Sequence, residues 1–312
     1  MTRRSWMRLL GVAVFIGAAI AAIHVRLDVD PAPLEAKYAT PPSRFIEAAG
    51  IRFHIRDRGT GPVLVLLHGW SINLFAWEPA ALLLADDHRV ISIDLPGHGL
   101  TGPDPMSRYS LAGMADSIDA LLVKLGVDRF ALAGNSLGGG VAIRYALAHP
   151  DKLRALILVD AVGDPDMGPI PPAIRAESAA VFGDLMQWFT PQWIVRYALA
   201  STFGDPSRMT DAQVASTYEL LLRAGNRTAE RQALLGGLDP GIAEHIGDVR
   251  VPTLVLWGTR DTWISPRDAD WFGSHLGNAR VQMLDGLGHQ PMLEAPQATT
   301  AAMETFLREQ GQ

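Results

Sequence analysis

Short, continuous runs of apolar residues recur along the chain and predict buried strands. The first, Val63–Leu67, reads VLVLL, as expected of a strand that is covered on both faces. Four later runs of the same kind are Arg89–Asp94, Phe130–Ala133, Ala155–Val159 and Thr253–Trp257. Arg280–Leu284 is more polar, which favours an outer strand. Phe45–Ala48 and Ile51–Arg56 together predict a hairpin.

Segments with a helical pattern lie between these strands. They are Ala76–Leu84, Ser110–Leu125, Leu137–His149, Pro266–His275 and Pro296–Glu309. Strand and helix therefore alternate, which predicts an α/β fold with a mostly parallel central sheet flanked by helices. We expect residues 44–163 and 246–312 to form this core.

Residues 164–245 interrupt the alternation, because they show no clear strand pattern. Their helix-like segments are Ile174–Gln187, Trp193–Leu199, Asp211–Ala224 and Thr228–Leu235. An unstructured loop of roughly 80 residues is uncommon in a compact domain. We therefore expect residues 164–245 to be a helical cap that is inserted into the core.

The N-terminus combines positive charge with an apolar run. Three arginines lie within residues 1–8, and the uncharged run Leu9–Ile23 follows them. Counted from Trp6 to Val25, the segment spans about 30 Å at ~1.5 Å per residue, enough to cross a bilayer. We expect residues 1–25 to be a membrane anchor, with the folded body on the extracytoplasmic side because positive flanks stay in the cytoplasm.

A cleaved signal peptide is the alternative for this segment. Cleavage near Ala19-Ile20-Ala21 would leave a secreted or periplasmic protein. Residues 26–43 contain four prolines and few large apolar residues, so we expect them to form an extended linker.

Composition excludes several classes of protein. Hydrophobic residues make up 48% of the chain and charged residues 19%, which supports a large core and excludes intrinsic disorder. The net charge of −6 comes without a basic block, so we expect no nucleic-acid partner. The absence of cysteine excludes disulfides, thiolate metal sites and a cysteine nucleophile.

A glycine-flanked serine is the main candidate for chemistry. Gly134 to Gly138 read GNSLG, which matches G-x-S-x-G between a predicted strand and a predicted helix. A sharp turn at that point would hold the Ser136 hydroxyl at the C-terminal edge of the sheet and at the N-terminus of a helix. The alternative is a glycine-rich turn that only packs the strand against the helix. Gly138-Gly139-Gly140 do not complete G-x-G-x-x-G, so a dinucleotide site is not supported.

Further short motifs occur in order around this serine. They are HGW after the first core strand, DLPGHGLTG after the second, WGTRD after a late strand and GLGHQPMLEAP before the last helix. With these motifs the chain resembles the α/β-hydrolases over about residues 44–310, in particular serine esterases and lipases that carry a helical cap.

The resemblance implies a nucleophile, an acid and a base in that order along the chain. Ser136, Asp261 and His289 fulfil it, with His289 in a glycine-rich loop and Asp261 directly after a strand. Asp160, at the end of the preceding strand, is the competing acid. The histidine would accept the serine proton, and the acid would orient the imidazole. The family pattern places the oxyanion-hole donors at the backbone N–H groups of Trp70 and Leu137.

The reaction that we expect is hydrolysis of a carboxylic ester through an acyl-serine, with a small-to-medium apolar acyl or alcohol group. A serine at position 136 disfavours relatives with an aspartate nucleophile, such as haloalkane dehalogenases and epoxide hydrolases. A C–C bond hydrolase, a cofactor-free haloperoxidase or perhydrolase, an acyltransferase and a non-catalytic binding module are the alternatives. We expect no cofactor and no metal, because the sequence has neither H-E-x-x-H nor another ligand cluster.

The predicted cap contains candidates for the substrate pocket. Val181–Tyr197 is rich in large apolar side chains, of which Trp188, Phe189 and Trp193 could line an apolar pocket. The alternative is that they form the cap's own small core.

Overall fold

The structure is a computed structural model that describes residue 6 and residues 27–166, 168, 172–236 and 239–311. Its strands are β1 (Ser43–Ala48), β2 (Ile51–Arg58), β3 (Val63–Leu67), β4 (Arg89–Ile93), β5 (Phe130–Asn135), β6 (Leu153–Val159), β7 (Thr253–Gly258) and β8 (Ala279–Leu284).

Helices connect and cover the strands. The α-helices are α1 (Pro31–Tyr38), α2 (Glu78–Leu84), α3 (Leu111–Lys124), α4 (Leu137–Ala148), α5 (Pro172–Ser178), α6 (Ala180–Met186), α7 (Gln192–Ser201), α8 (Asp211–Leu221), α9 (Asn226–Gly236), α10 (Pro240–His245), α11 (Asp268–His275), α12 (Pro291–Glu294) and α13 (Pro296–Glu309). Short 3₁₀ turns are Leu74–Trp77, Pro150–Lys152, Pro206–Arg208 and Ile246–Asp248.

The eight described strands form one sheet in the order β1-β2-β4-β3-β5-β6-β7-β8. β1 pairs with β2, and β2 with β4, in antiparallel fashion, and every other pair is parallel. The predicted α/β class with a mostly parallel sheet is therefore confirmed. The N-terminal hairpin and the outer position of β8 also agree with the sequence pattern.

Apolar cores lie on both faces of the sheet. Along β3, Leu64 and Leu66 are fully buried on one face, and Val65 and Leu67 are fully buried on the other. Successive strand residues point to opposite faces, so a strand covered on both sides must be apolar throughout. This requirement explains the continuous apolar runs in the sequence.

The carboxyl ends of the central strands meet at one edge of the sheet. In the parallel register, Asn135 at the end of β5 lies opposite Val159 at the end of β6, and Val159 lies opposite Leu256 of β7. Open α/β sheets bind ligands in the crevice at this edge. The residues that follow these strands, Ser136 and Asp160 among them, are thereby brought together.

The segment between β6 and β7 is helical. Its described residues form α5 to α10 and contain no strand, in agreement with the helix-like pattern of residues 164–245. The segment contacts the carboxyl edge of the sheet, since the Trp70 indole N–H donates to the Glu230 carbonyl over 2.9 Å. Its description as a separate cap domain remains a prediction.

The expectation of an extended linker over residues 26–43 is wrong for α1. The Asp30 side chain caps this helix by accepting the Ala32 N–H over 2.8 Å, and Pro31 occupies the first helical position, where proline is well tolerated. The Val29 N–H donates to the Leu222 carbonyl over 2.7 Å, which ties the segment to the helical insertion. The prolines therefore start a helix here.

The predicted membrane anchor is also corrected. Among the described residues, no helix is long and apolar enough to cross a bilayer. The longest described helices, α3 and α13, have 14 residues each and span about 21 Å, short of the ~30 Å hydrocarbon core. Apart from Trp6, the anchor proposed for residues 1–25 lies outside the described residues. A membrane partner and an extracytoplasmic membrane-anchored location are therefore unsupported.

Candidate active site

Ser136 lies in a strained turn between β5 and α4. Its φ of 52° and ψ of −116° are unusual for a non-glycine residue. A side chain at Gly134 would collide with the Gly138 carbonyl, and a Cβ at Gly138 would lie 2.6 Å from the Leu67 carbonyl oxygen. Both glycines of G-x-S-x-G are thus required by close backbone approach.

His289 and Asp261 form a buried hydrogen-bonded pair. His289 Nδ1 lies 2.7 Å from Asp261 Oδ2. The other carboxylate oxygen, Oδ1, accepts the backbone N–H groups of Trp263 over 2.7 Å and Ile264 over 3.1 Å. These bonds fix the carboxylate after β7, and the carboxylate in turn favours the imidazole tautomer with its proton on Nδ1. Nε2 is then the ring nitrogen that can accept a proton.

The loop that carries His289 is held by three separate groups. The His289 N–H donates to the Thr202 carbonyl over 2.7 Å. The Asn135 side-chain amide donates to the His289 carbonyl over 3.0 Å. The Trp263 ring stacks on the imidazole with a centroid distance of 5.7 Å and an angle of 17°. Backbone and ring contacts therefore both fix the orientation of the imidazole.

Glu294 adds a further support that sequence reasoning missed. Its carboxylate accepts the N–H groups of Gly204, Asp205 and Gly288, each over 2.9 Å. One buried side chain thus joins the loop before His289 to the turn after α7. The only sequence signal was the position of this glutamate within the GLGHQPMLEAP motif.

Ser136 and His289 line the same cavity, which has a volume of about 250 Å³. Its wall includes Trp70 and Ser71 from the loop after β3, and Ile194 from α7. The lining is mainly apolar, as in pockets for small organic ligands. The cavity thus brings together the serine of the sharp turn, the paired histidine and an apolar surface.

Two carboxyl groups also line the cavity. Burial raises the pKa of Glu177 to about 7, while the charge of Arg231 opposes the shift. Burial raises the pKa of Glu230 well above its usual range, against a hydrogen bond from Ser71. Burial therefore favours the neutral form of Glu230, whereas Glu177 loses its proton within the neutral range.

The loop that carries Trp70 is shaped by two buried histidines. His68 Nε2 accepts the Leu95 N–H over 3.0 Å, so the ring proton lies on Nδ1, 2.7 Å from the Gly69 carbonyl. Burial lowers the pKa of His68 and lowers that of His98 to about 3. Both rings are therefore neutral and support the loop through buried contacts.

Comparison with known proteins identifies the family. A family model described as alpha/beta hydrolase fold matches residues 62–296. The chain belongs to the α/β-hydrolase family. The resemblance that the sequence motifs indicated is therefore confirmed.

Relatives of this α/β-hydrolase align over nearly their whole length. A pimeloyl-[acyl-carrier protein] methyl ester esterase from Nitrosomonas europaea is 29% identical over 261 residues, or 81% of this chain and 98% of the relative. The protein of that name from Aromatoleum aromaticum is 31% identical over 258 residues, or 79% and 98%. The solved structure of a thermophilic esterase from Thermogutta terrifontis matches with a TM-score of 0.73 and 24% identity, covering 86% of this chain and 98% of that one. The last match concerns the fold alone.

The hydrolase cavity is not lined by the aromatic residues chosen from the sequence. Trp188 is 62% exposed and Trp193 is 61% exposed, and neither they nor Phe189 line the cavity. Ile194 and Met186 of the same segment line it instead. For Trp193 the correction has a physical reason: α7 is apolar on several sides, so composition alone does not tell which face is turned inward.

The two predicted oxyanion-hole donors lie next to the serine of this hydrolase. Leu137 is the first residue of α4, where backbone N–H groups have no partner within the helix. The loop that leads to Trp70 passes close to the serine, since a Cβ at Gly69 would lie 3.1 Å from Ser136 Cβ. Their function as donors to an oxyanion remains a prediction.

Asp160, Asp261 and His289 are the described residues whose side chains could hold a metal ion, with one atom from each within 4.8 Å of the others. Metal–ligand bonds of about 2.0–2.2 Å in a tetrahedral site separate the ligand atoms by more than ~3 Å. The 2.7 Å between Asp261 Oδ2 and His289 Nδ1 is shorter and fits a hydrogen bond. The short distance therefore favours a hydrogen-bonded Asp261–His289 pair that takes part in proton transfer over a metal site.

Proposed function

We propose that this protein is a serine esterase that cleaves carboxylic esters through an acyl-serine intermediate, with Ser136, His289 and Asp261 as catalytic triad. The observation that carries the proposal is the buried Asp261–His289 pair, whose histidine lines the same cavity as Ser136. The names of the relatives from Nitrosomonas europaea and Aromatoleum aromaticum, which describe ester cleavage, support the same reaction class.

Acylation starts with the Ser136 hydroxyl. The hydroxyl oxygen attacks the ester carbonyl carbon while His289 Nε2 accepts its proton. The resulting imidazolium is stabilised by Asp261, whose Oδ2 lies 2.7 Å from Nδ1. Transfer of that proton to the alcohol oxygen lets the carbon–oxygen bond break, and the acyl group stays on Ser136.

Deacylation repeats these steps with water. His289 takes a proton from water, the hydroxide adds to the acyl carbon, and the proton returns to Ser136 as the acid leaves. Both tetrahedral intermediates carry a negative oxygen. The backbone N–H groups of Trp70 and Leu137 are the donors that we assign to it, each worth roughly 3–4 kcal/mol in such sites.

The cavity supports a substrate of limited size and polarity. A volume of about 250 Å³ with a mainly apolar lining fits an ester with a small-to-medium apolar acyl or alcohol group. The methyl ester in the relatives' names lies within this class, as an ester with a small alcohol.

A fluorophosphonate probe tests the nucleophile. It should label the wild type but not Ser136→Ala, because the probe forms a covalent bond with an activated serine. Ser71→Ala is the matched control, since Ser71 lines the same cavity but lies outside the sharp turn. Equal labelling of the wild type and Ser136→Ala would overturn the assignment, as would loss of labelling in Ser71→Ala alone.

A further inference from the structure

A second buried carboxyl lies behind the Asp261–His289 pair. Asp160 follows β6 directly, is fully buried, and has a φ of 45°. Its Oδ1 accepts the Gly258 N–H over 2.9 Å. As a carboxylate it would leave Oδ2 buried without a hydrogen-bond donor among the described residues. Such an arrangement is costly unless the oxygen carries a proton and donates it.

Asp261 is the neighbouring carboxyl group. One side-chain oxygen of Asp160 lies within 4.8 Å of one ligand atom of the Asp261 side chain and of one ring nitrogen of His289. Two carboxylates only accept hydrogen bonds, so a bond between them requires a proton on one. A proton on the unpartnered Asp160 Oδ2 would allow such a bond and would leave one negative charge on the two acids.

The accepted hydrogen bonds decide which acid keeps the proton. Asp261 accepts from Trp263 N–H, Ile264 N–H and His289 Nδ1, whereas Asp160 accepts only from Gly258 N–H among the described residues. Hydrogen bonds to a carboxylate stabilise its charged form. Burial raises the pKa of Asp160, and the charge of Asp261 and that of Glu294 raise it further.

We propose that Asp160 is a positioning residue that stays protonated through the catalytic cycle and donates its O–H to the Asp261 carboxylate. The donated bond holds Asp261 in the orientation that pairs with His289. The proton on Asp160 also prevents a second negative charge next to the imidazole. Asp160 exchanges no proton with the substrate. This inference rests on the proposed triad and adds a residue to its support.

Asp160→Asn tests the charge of this group. Asparagine tolerates the positive φ, is neutral like the protonated acid, and keeps an N–H donor towards Asp261. We expect kcat within about fivefold of wild type and an acidic limb of the kcat/KM–pH profile that moves by less than about 0.3 pH unit. If Asp160 were ionised, the substitution would remove a negative charge near His289. The pKa that defines the acidic limb would then fall by about one unit or more.

The groups that could also shape this profile are Asp261, His289 and Glu294 around Asp160, and Asp268, whose carboxyl interacts with Asp261. Asp160→Asn leaves all four in place. A shift of the limb can therefore be assigned to the charge of Asp160.

Asp160→Gly tests the donated bond. Glycine has no backbone penalty at positive φ, so the substitution removes the carboxyl without new strain. We expect kcat to fall about tenfold or more, with asparagine at the same position restoring most of it. Equal losses in the glycine and asparagine variants would contradict the proposal.

Infrared spectroscopy provides a readout that needs no activity. Glu177, Glu230 and Asp268 also have raised pKa values, so the readout is the difference between the wild-type and Asp160→Asn spectra at neutral pH, in which their bands cancel. The difference spectrum should contain the carbonyl band of one protonated carboxyl. A difference spectrum without that band would overturn the proposal. A failure of the serine mechanism would appear separately, as unchanged activity in Ser136→Ala.

Discussion

Replacement of Asp261 by asparagine tests the acid of the proposed triad. The side chain is fully buried, and its Oδ2 faces His289 Nδ1 at 2.7 Å. In Asp261→Asn the Oδ1 atom can still accept the Trp263 and Ile264 N–H groups, so the turn after β7 should keep its shape. The amide N–H₂ group at the Oδ2 position would donate to Nδ1 and force the imidazole proton onto Nε2, which removes the base that Ser136 needs.

The size of the effect follows from the distance. A bond of 2.7 Å places the centres of the carboxylate and imidazolium charges about 4 Å apart. At an effective dielectric constant of about 20, this attraction is worth about 4 kcal/mol. The loss raises the barrier to imidazolium formation, and at about 1.4 kcal/mol per factor of ten it lowers kcat roughly 10³-fold. The wrong tautomer adds to this loss.

The assay is hydrolysis of p-nitrophenyl butyrate under saturating substrate, with thermal unfolding measured in parallel. Asp151→Asn is a suitable control, because Asp151 is exposed and does not line the described cavity. A folded Asp261→Asn protein with kcat within tenfold of wild type would refute the assignment of Asp261 as the acid.

Three further predictions concern the turn, the buried acid and the cavity. Gly134→Ala should lower the free energy of unfolding by about 2–3 kcal/mol in urea. Gly277→Ala should change it little, because an added Cβ would meet only Arg250 Nη1, at an ordinary contact distance of 3.5 Å. Equal effects of the two substitutions would contradict the argument from close approach. Burial raises the pKa of Glu177 to about 7, so the folded state binds its proton more tightly than the unfolded state, and the stability that this group contributes falls as the pH rises from about 4.5 to 7. The free energy of unfolding of Glu177→Gln, measured in urea, should therefore rise relative to that of the wild type from pH 5 to pH 8. A difference between the two proteins that does not change with pH would contradict this prediction. Ile194→Trp should reduce the acyl chain length of the longest p-nitrophenyl ester that the enzyme cleaves, because Ile194 lines the cavity. Trp193→Phe should leave that length unchanged, because Trp193 is exposed and does not line the cavity. The reverse result would indicate that Trp193, and not Ile194, contacts the acyl chain.

The fold and the candidate chemistry follow from local patterns that the structure preserves. A strand buried on both faces must be apolar throughout, so the strand Val63–Leu67 can be predicted from the sequence alone. A sharp turn needs glycine where two backbones touch, so the turn at Gly134–Gly138 can be predicted in the same way. Parallel strands bring their carboxyl ends to one edge, which is why Asp261 and His289 could be paired across 28 residues.

The parts that the sequence did not predict depend on contacts between distant segments. Glu294 accepts an N–H from Gly204, 90 residues away, and no local pattern encodes that contact. Trp193 and Ile194 are adjacent and both apolar, yet only Ile194 faces the cavity, because packing of α7 decides the inward face. The prolines before β1 suit an extended chain, but Pro31 also suits a first helical turn, and the Asp30 cap favours the helix.

The most direct test of the account is identification of the acyl-enzyme. The wild type is mixed with p-nitrophenyl butyrate, quenched with acid during the first turnover, and analysed by intact mass and peptide mapping. We expect one butyryl group per wild-type chain, on the peptide that contains Ser136. In Ser136→Ala we expect no adduct and a turnover that is at least 10³-fold slower. An adduct on another residue such as Ser71, or wild-type turnover in Ser136→Ala, would contradict it.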